Sequence, residues 1–180
     1  MDSLIRVLPS SELTSGEWST LTDLCIAAFN EPWDDYWQSI GPGLHVIAEE
    51  PGAGIVAHAA IVDRLLYPAD TTLRAGYVEA VAVAPDRQGR GLGSSVMEVI
   101  DGFIDERYEL GALGTGRHSF YARLGWVSWQ GLTWIRERDG RLRRSPDEDG
   151  QIMVRLTPMT PPQLDLTSPI AVDWRPGEVW

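Results

Sequence analysis

From Ser15 to Phe29 the apolar residues Leu21, Leu24, Cys25, Ala28 and Phe29 recur at three- and four-residue spacing, which predicts a helix with one buried face. Asn30-Glu31-Pro32-Trp33 ends it. Pro32 is placed to open a second helix carrying Asp34, Asp35, Tyr36 and Trp37. Leu44 to Glu49 and Ile55 to Leu66 predict strands, separated by the hairpin turn Pro51-Gly52-Ala53-Gly54. Tyr77 to Val83 alternates with period two: Tyr77, Glu79, Val81 and Val83 on one face, Val78, Ala80 and Ala82 on the other. A helix follows at 92 to 107, with Leu92, Val96, Val99, Ile100 and Phe103 inward and Glu98, Asp101, Asp105 and Glu106 outward. A strand around Leu110 to Leu113 and a helix near Ser119 to Leu124 come next, and Trp126 to Trp134 and Gln151 to Pro158 close the sheet. The pattern is mixed α/β.

Length and composition add bounds. At 180 residues, 43% hydrophobic and 23% charged, the chain is expected to form one domain, 1–180, around a single core. No apolar run approaches the roughly 18 residues of a membrane span, and the first residues lack the basic head and apolar stretch of a secretory leader. The single cysteine, Cys25, excludes an internal disulfide, and its place on an apolar helix face reads as a small buried hydrophobe. These features point to the cytoplasm. The formal charge is −11 and uneven, with 12 acids against 3 arginines in residues 1 to 85. Such a field repels nucleic acid and anionic membrane and attracts cations, besides favouring solubility. Arg136, Arg138, Arg141, Arg143 and Arg144 surround the turn Asp139-Gly140 and read as solvated hairpin strands, with no aromatic platform beyond Trp134.

The chemistry concentrates between Tyr77 and Gly93. Glu79 sits in mid-strand among valine and alanine, where burial is costly unless the carboxylate is satisfied, and desolvation would raise its pKa toward that of a useful base. The alternative is an edge-strand glutamate facing water. Beyond it, Arg87-Gln88-Gly89-Arg90-Gly91-Leu92-Gly93 places glycines ahead of a helix, where free N–H groups and the positive end of the helix dipole attract phosphate. The turn is not a dinucleotide fingerprint, because Ser94 stands where the third glycine belongs, nor a P-loop, which needs a lysine this chain lacks. His45 and His58 lie within strands and read as core or edge residues; with no ligand partners at metal spacing, no metal is expected.

The turn at Gln88 to Gly93 and the strand before it resemble the pyrophosphate turn, Q/R-x-x-G-x-G/A, of the GCN5-related N-acetyltransferases. The segments GYVEAVAV, YELGAL, FYARLGW, SPDEDG and DWRPGEVW, in that order, resemble the aminoglycoside 2'-N-acetyltransferases within that family. Gly114-Thr115-Gly116-Arg117 is shorter than that group's serine-rich stretch, and Glu148 and Glu178 replace the more usual aspartates, differences that bear on substrate preference. The resemblance implies a twisted, largely antiparallel sheet with helices on both faces and a splayed central strand pair. It implies that acetyl-CoA is held by Val81, Ala82, Val83, Gln88, Gly89, Arg90, Gly91, Leu92 and Gly93. It further implies Tyr121 near the thiol and a homodimer. For a cationic acceptor, an aminoglycoside, it implies Asp34, Asp35, Glu79, Ala80, Thr115, Glu148, Asp149, Glu178 and Trp180, with the terminal carboxylate in the pocket.

Acetyl transfer to an amine requires the ammonium to lose a proton before attack. Glu79 is the candidate base, directly or through water, the backbone N–H of Val81 the candidate oxyanion donor, and Tyr121 the candidate acid toward the thiolate. Other readings stay open: Tyr121 as a core aromatic, Asp147-Glu148-Asp149-Gly150 as turn chemistry, a different cationic amine as acceptor, or a module that binds acyl-CoA without catalysis.

Overall fold

Thr14 starts the first helix by a reciprocal cap: its hydroxyl accepts the Glu17 N–H at 3.2 Å while the Glu17 carboxylate accepts the Thr14 N–H at 2.9 Å. The helix so begun, α1 (Ser15–Phe29), ends at Asn30 in the left-handed conformation and buries Leu21, Leu24 and Cys25. Burial pushes the Cys25 thiol up to about 12, in keeping with a hydrophobe's role. A computed structural model describes residues 3–33 and 35–180; Asp34, assigned above to substrate recognition, lies outside the described residues. The chain forms two compact units, Met1–Val62 with Val78–Ile100, and Asp63–Tyr77 with Asp101–Trp180.

In the first unit β1 (Leu4–Pro9) pairs antiparallel with β2 (Leu44–Glu50), and β2 with the first part of β3 (Gly54–Pro68). Arg6 on β1 grips Glu17 at 2.6 Å and Glu49 at 2.9 Å. That pairing, with the Thr14 bonds, holds the Glu17 carboxyl down at about 2. The second helix, α2 (Tyr36–Ile40), starts later than Pro32 suggests, because Asp35 keeps a non-helical backbone at the cap position. The alternation expected through β4 (Leu73–Val83) also fails: Ala80 has φ 52°, and Val78, Glu79, Ala80 and Ala82 are all buried. A single residue in that region re-aims the pleat, at a cost of roughly 1–2 kcal/mol for a residue with a Cβ.

Helix α3 (Leu92–Arg107) buries Leu92, Val96, Met97, Ile100 and Ile104, so its inward face is rotated from the predicted one; Val99 and Phe103 are half-buried. Asp101, predicted to face outward, is buried in the second unit because Trp126 Nε1 donates to it at 3.0 Å and Arg155 at 3.3 Å. Arg155 also holds Asp105 at 2.6 Å.

The second unit carries the remaining strands: β5 (Leu110–Gly114), β6 (Val127–Ser128), β7 (Thr133–Arg136), β8 (Leu142–Arg144), β9 (Ile152–Leu156) and β10 (Ile170–Asp173). Their order, with the parts of β4 and β3 that belong to this unit, is β6-β9-β5-β4-β3-β10-β7-β8. Pairing is mostly antiparallel, with parallel contacts between β4 and β5 and between β10 and β7. The predicted strand region from Trp126 to Trp134 is therefore two strands with different neighbours, and β1 and β10 were not foreseen. Helix α4 (His118–Ala122) falls close to its predicted place. Among the described residues no helix is long and apolar enough to cross a membrane.

Candidate active site

The glycine turn is shaped by two left-handed residues, Gly89 (φ 77°) and Gly91 (φ 85°), conformations that a side chain would strain. A Cβ added at either would meet nothing within 4 Å, so the turn opens onto space. The Gly91 carbonyl accepts the Ser95 N–H at 2.9 Å, which makes Gly91 the cap and leaves the N–H groups of Leu92, Gly93 and Ser94 without partners in their own helix. Gln88 Nε2 donates to the Val83 carbonyl at 3.3 Å, and Arg87 is held by Glu50 at 2.9 Å and by Asp86. Arg90 is exposed. Open amides, a helix N-terminus and one exposed guanidinium fit the pyrophosphate of acetyl-CoA, and half-buried Val81 and Val83 lie on the strand that leads into the turn.

Glu79 does not face water. It is 5% exposed, and the Tyr36 hydroxyl donates to it at 2.6 Å. Tyr36 in turn packs on Trp33 at 4.0 Å between ring centroids, and Trp33 stacks on Phe29 at 4.9 Å. Ala80 and Ala82 share a core with Leu24, Cys25 and Trp33. Tyr36 was not singled out from the sequence as a functional residue, although Trp33-Asp34-Asp35-Tyr36-Trp37, an acidic aromatic run, marked the place. Asp35 is exposed beside it. His45 and His58 satisfy each other, Nδ1 of the first lying 2.9 Å from Nε2 of the second. Burial lowers both, His45 to about 4 and His58 to about 3, with the neighbouring His45 adding to the effect on His58.

In the second unit Tyr121 is buried on α4, edge-on to Phe120 at 4.9 Å and to Trp126 at 6.2 Å. Burial pushes its hydroxyl up to about 12, against a smaller opposing effect of Arg117. Glu148 is half-buried and its carboxyl is raised by burial, then by the charges of Glu178 and Asp147. The charge of Glu178 therefore reaches the Glu148 carboxyl. Asp149 is differently placed: Arg144 holds it at 2.6 Å and Thr133 donates to it at 2.8 and 2.9 Å, which keeps it down at about 2. Thr115 accepts the Arg117 N–H at 2.9 Å. Trp180 is buried, its indole donating to Ser145 at 3.0 Å, and the Val179 carbonyl accepts from Arg64. Arg64, which also donates to the Asp173 carbonyl, was missed; its one sequence signal is an arginine inside an apolar strand. The arginines of the β7–β8 hairpin are paired internally, Arg141 with Asp139 and Arg143 with Glu137, both at 2.6 Å, and Arg138 lies over Trp174 at 4.1 Å.

Residues 10–128 match the family model described as an acetyltransferase (GNAT) domain. Over 179 residues the chain is 36% identical to an aminoglycoside 2'-N-acetyltransferase from Mycolicibacterium fortuitum, covering 97% of this chain and 91% of that protein. Two solved structures share the fold. The GNAT family N-acetyltransferase YhbS of Escherichia coli, in complex with CoA, matches at a TM-score of 0.63 and 16% identity, over 94% of this chain and 89% of its own. Escherichia coli ElaA matches at 0.61 and 20% identity, over 86% and 99%. A family model spanning residues 10–128 and a relative alike over nearly the whole of both chains place this chain in the GCN5-related N-acetyltransferase family.

Proposed function

We propose that this chain transfers the acetyl group of acetyl-CoA to the 2'-amino group of an aminoglycoside, removing one positive charge from the drug and so conferring resistance. The likeness to the Mycolicibacterium fortuitum enzyme over almost the whole of both chains carries the choice of acceptor. The acidic pair Glu148 and Glu178 supports it, since each ammonium of a polycation favours an anionic partner. Asp149 serves this reading by fixing the loop through Arg144 and Thr133, which leaves Glu148 as the residue offered to substrate.

Glu79 takes the proton from the ammonium, directly or through a water, while Tyr36 holds its carboxylate in place. The amine nitrogen then bonds to the thioester carbonyl carbon, and the Val81 N–H receives the charge that develops on the oxygen. The nitrogen, cationic after attack, gives its second proton to solvent, and as the C–S bond breaks the electron pair passes to sulfur, where Tyr121 donates a hydrogen bond. With its hydroxyl pushed up to about 12 against a thiol near about 8.5, full transfer from tyrosine is uphill by roughly 5 kcal/mol. Tyr121 therefore stabilises the thiolate rather than losing its proton, and the thiolate stays ionised or takes a proton from solvent.

The test is a panel of acceptors followed by free thiol: aminoglycosides with a 2'-amino group, aminoglycosides with a 2'-hydroxyl, a polyamine and a peptide with a free N-terminus. Turnover confined to the 2'-amino compounds is expected; turnover of the peptide or polyamine alone would reassign the acceptor, and no thiol release despite acetyl-CoA binding would make the chain a binding module. Tyr121→Phe is expected to lower kcat at least about tenfold with acetyl-CoA affinity nearly unchanged. Unchanged turnover would return Tyr121 to the role of core aromatic.

A further inference from the structure

The reaction just described leaves His45 and His58, with 1% and 0% exposure, unused. His45 sits opposite Ala60 and His58 opposite Ile47, a diagonal offset that puts both rings on one face of the β2–β3 pair. They belong to a longer chain of hydrogen bonds. His58 Nδ1 lies 2.8 Å from the carbonyl oxygen of Ala80, and His45 Nε2 lies 2.8 Å from the hydroxyl of Ser10, which accepts the Gly43 N–H at 2.8 Å.

The direction of every bond follows from the last. A carbonyl oxygen only accepts, so His58 carries its proton on Nδ1. In a neutral ring its Nε2 then accepts, so His45 must also be protonated on Nδ1, and its Nε2 accepts from the Ser10 hydroxyl, whose one proton is shared between that nitrogen at 2.8 Å and the Gly43 carbonyl at 3.1 Å. Two buried imidazoles are thereby fixed in one tautomer, and the series ends on a single backbone oxygen. Neutral rings are what their burial favours.

That oxygen belongs to the left-handed residue of β4. A buried carbonyl needs a donor, and His58 supplies one. The same planar peptide unit ends in the N–H of Val81, and in a trans peptide the two groups point in opposite directions. Whatever grips the Ala80 oxygen also aims the Val81 N–H, and successive hydrogen bonds polarise one another toward a stronger donor.

We propose that His58, backed by His45 and Ser10, is a positioning residue for acetyl transfer: it holds and polarises the Ala80–Val81 peptide so that its N–H meets the developing oxyanion. The proposal rests on the acetyl-transfer reading above. A purely structural role would hold the core together without touching the barrier.

Two variants and one spectrum separate these. His58→Leu keeps bulk but removes the donor, whereas His58→Asn keeps an N–H near the position of Nδ1. Positioning requires kcat of His58→Leu to fall at least about tenfold with unchanged KM for both substrates, and His58→Asn to recover most of it. Equal kcat in the two variants, whatever their melting temperatures, overturns it. Should His58→Leu fail to fold, the wild-type imidazole nitrogens decide by NMR at neutral pH: both rings must be neutral and protonated on Nδ1, and either ring on the other tautomer overturns the chain. The spectrum needs no acceptor. Correct tautomers in an enzyme that acetylates no amine would overturn the reaction and the role of His58 in it, while the hydrogen-bond chain stands.

Discussion

Replacing Glu79 by glutamine is expected to lower kcat for amine acetylation by about 10²–10⁴-fold, the range of a positioned general base, with KM for acetyl-CoA little changed. Glutamine keeps the shape and an oxygen that can still accept from Tyr36, which now donates at 2.6 Å, so the loss reports basicity rather than packing. The amine enters as an ammonium, and without a local acceptor only the small neutral fraction in solution can attack. Raising the pH should therefore recover part of the lost rate. A variant within a factor of about three of wild type would remove Glu79 as the base and leave deprotonation to solvent. Tyr36→Phe tests the support: it removes the donor without a change of volume, and a smaller loss in kcat is expected.

Stability is expected to fall as pH drops from 6.5 toward about 4, because of the two buried histidines. Their folded values lie below the ordinary 6.5, so the unfolded chain binds protons that the folded chain refuses. The contribution is fully present above 6.5 and is lost through that window, with a slope approaching roughly 1.4 kcal/mol per pH unit for each histidine. Two together approach about 2.7 kcal/mol per unit, a large part of a typical domain's stability. Glu17 and Asp149, both held at about 2, lose their contributions only below their ordinary values of 4.5 and 3.8, so they do not blur the upper part of the window. Glu148, raised by burial, acts with the opposite sign. Denaturant unfolding at pH 7, 6 and 5 checks this. Equal stability at pH 7 and 5 would mean that the rings charge freely in the folded chain, and His58→Leu should reduce the slope toward that of one histidine.

Local patterns were legible where their cause is local. The spacing of Leu21, Leu24 and Cys25 marked α1 to the residue at both ends, because Thr14 and Asn30 cap it within the same stretch. The glycine turn was legible for the same reason: Gly89 and Gly91 are where the backbone needs positive φ. The alternation through Glu79 was half right. Burial of that carboxylate could be argued from its neighbours, but the left-handed turn at Ala80 has no local signal, and the partner of its carbonyl, His58, lies 22 residues away. His45 and His58 look like two lone histidines until the register of β2 against β3 sets them side by side. Asp101 reads as a solvent-facing acid on any helical wheel, and its burial depends on partners distant in sequence, Trp126 and Arg155 among them. Asp149, offered by the sequence as a substrate ligand, is also engaged by Arg144 and Thr133, partners that no local pattern announces. Strand β10 has four residues and acquires its identity from partners more than 30 residues away.

That strand also sets the tempo of folding. It lies between β3 and β7, pairing with residues 66–68 on one side and 133–136 on the other, so the β7–β8 hairpin joins the sheet only once residues 170–173 have arrived. Closing such distant contacts is an entropic search whose cost is met before the pairing rewards it. On the ribosome the first unit has all its segments once Ile100 has emerged, whereas the second must wait for some seventy residues more with strand edges uncovered. The second unit is thus expected to fold later and to be the more exposed to aggregation during synthesis, with the insertion of Ile170–Asp173 ending that exposure.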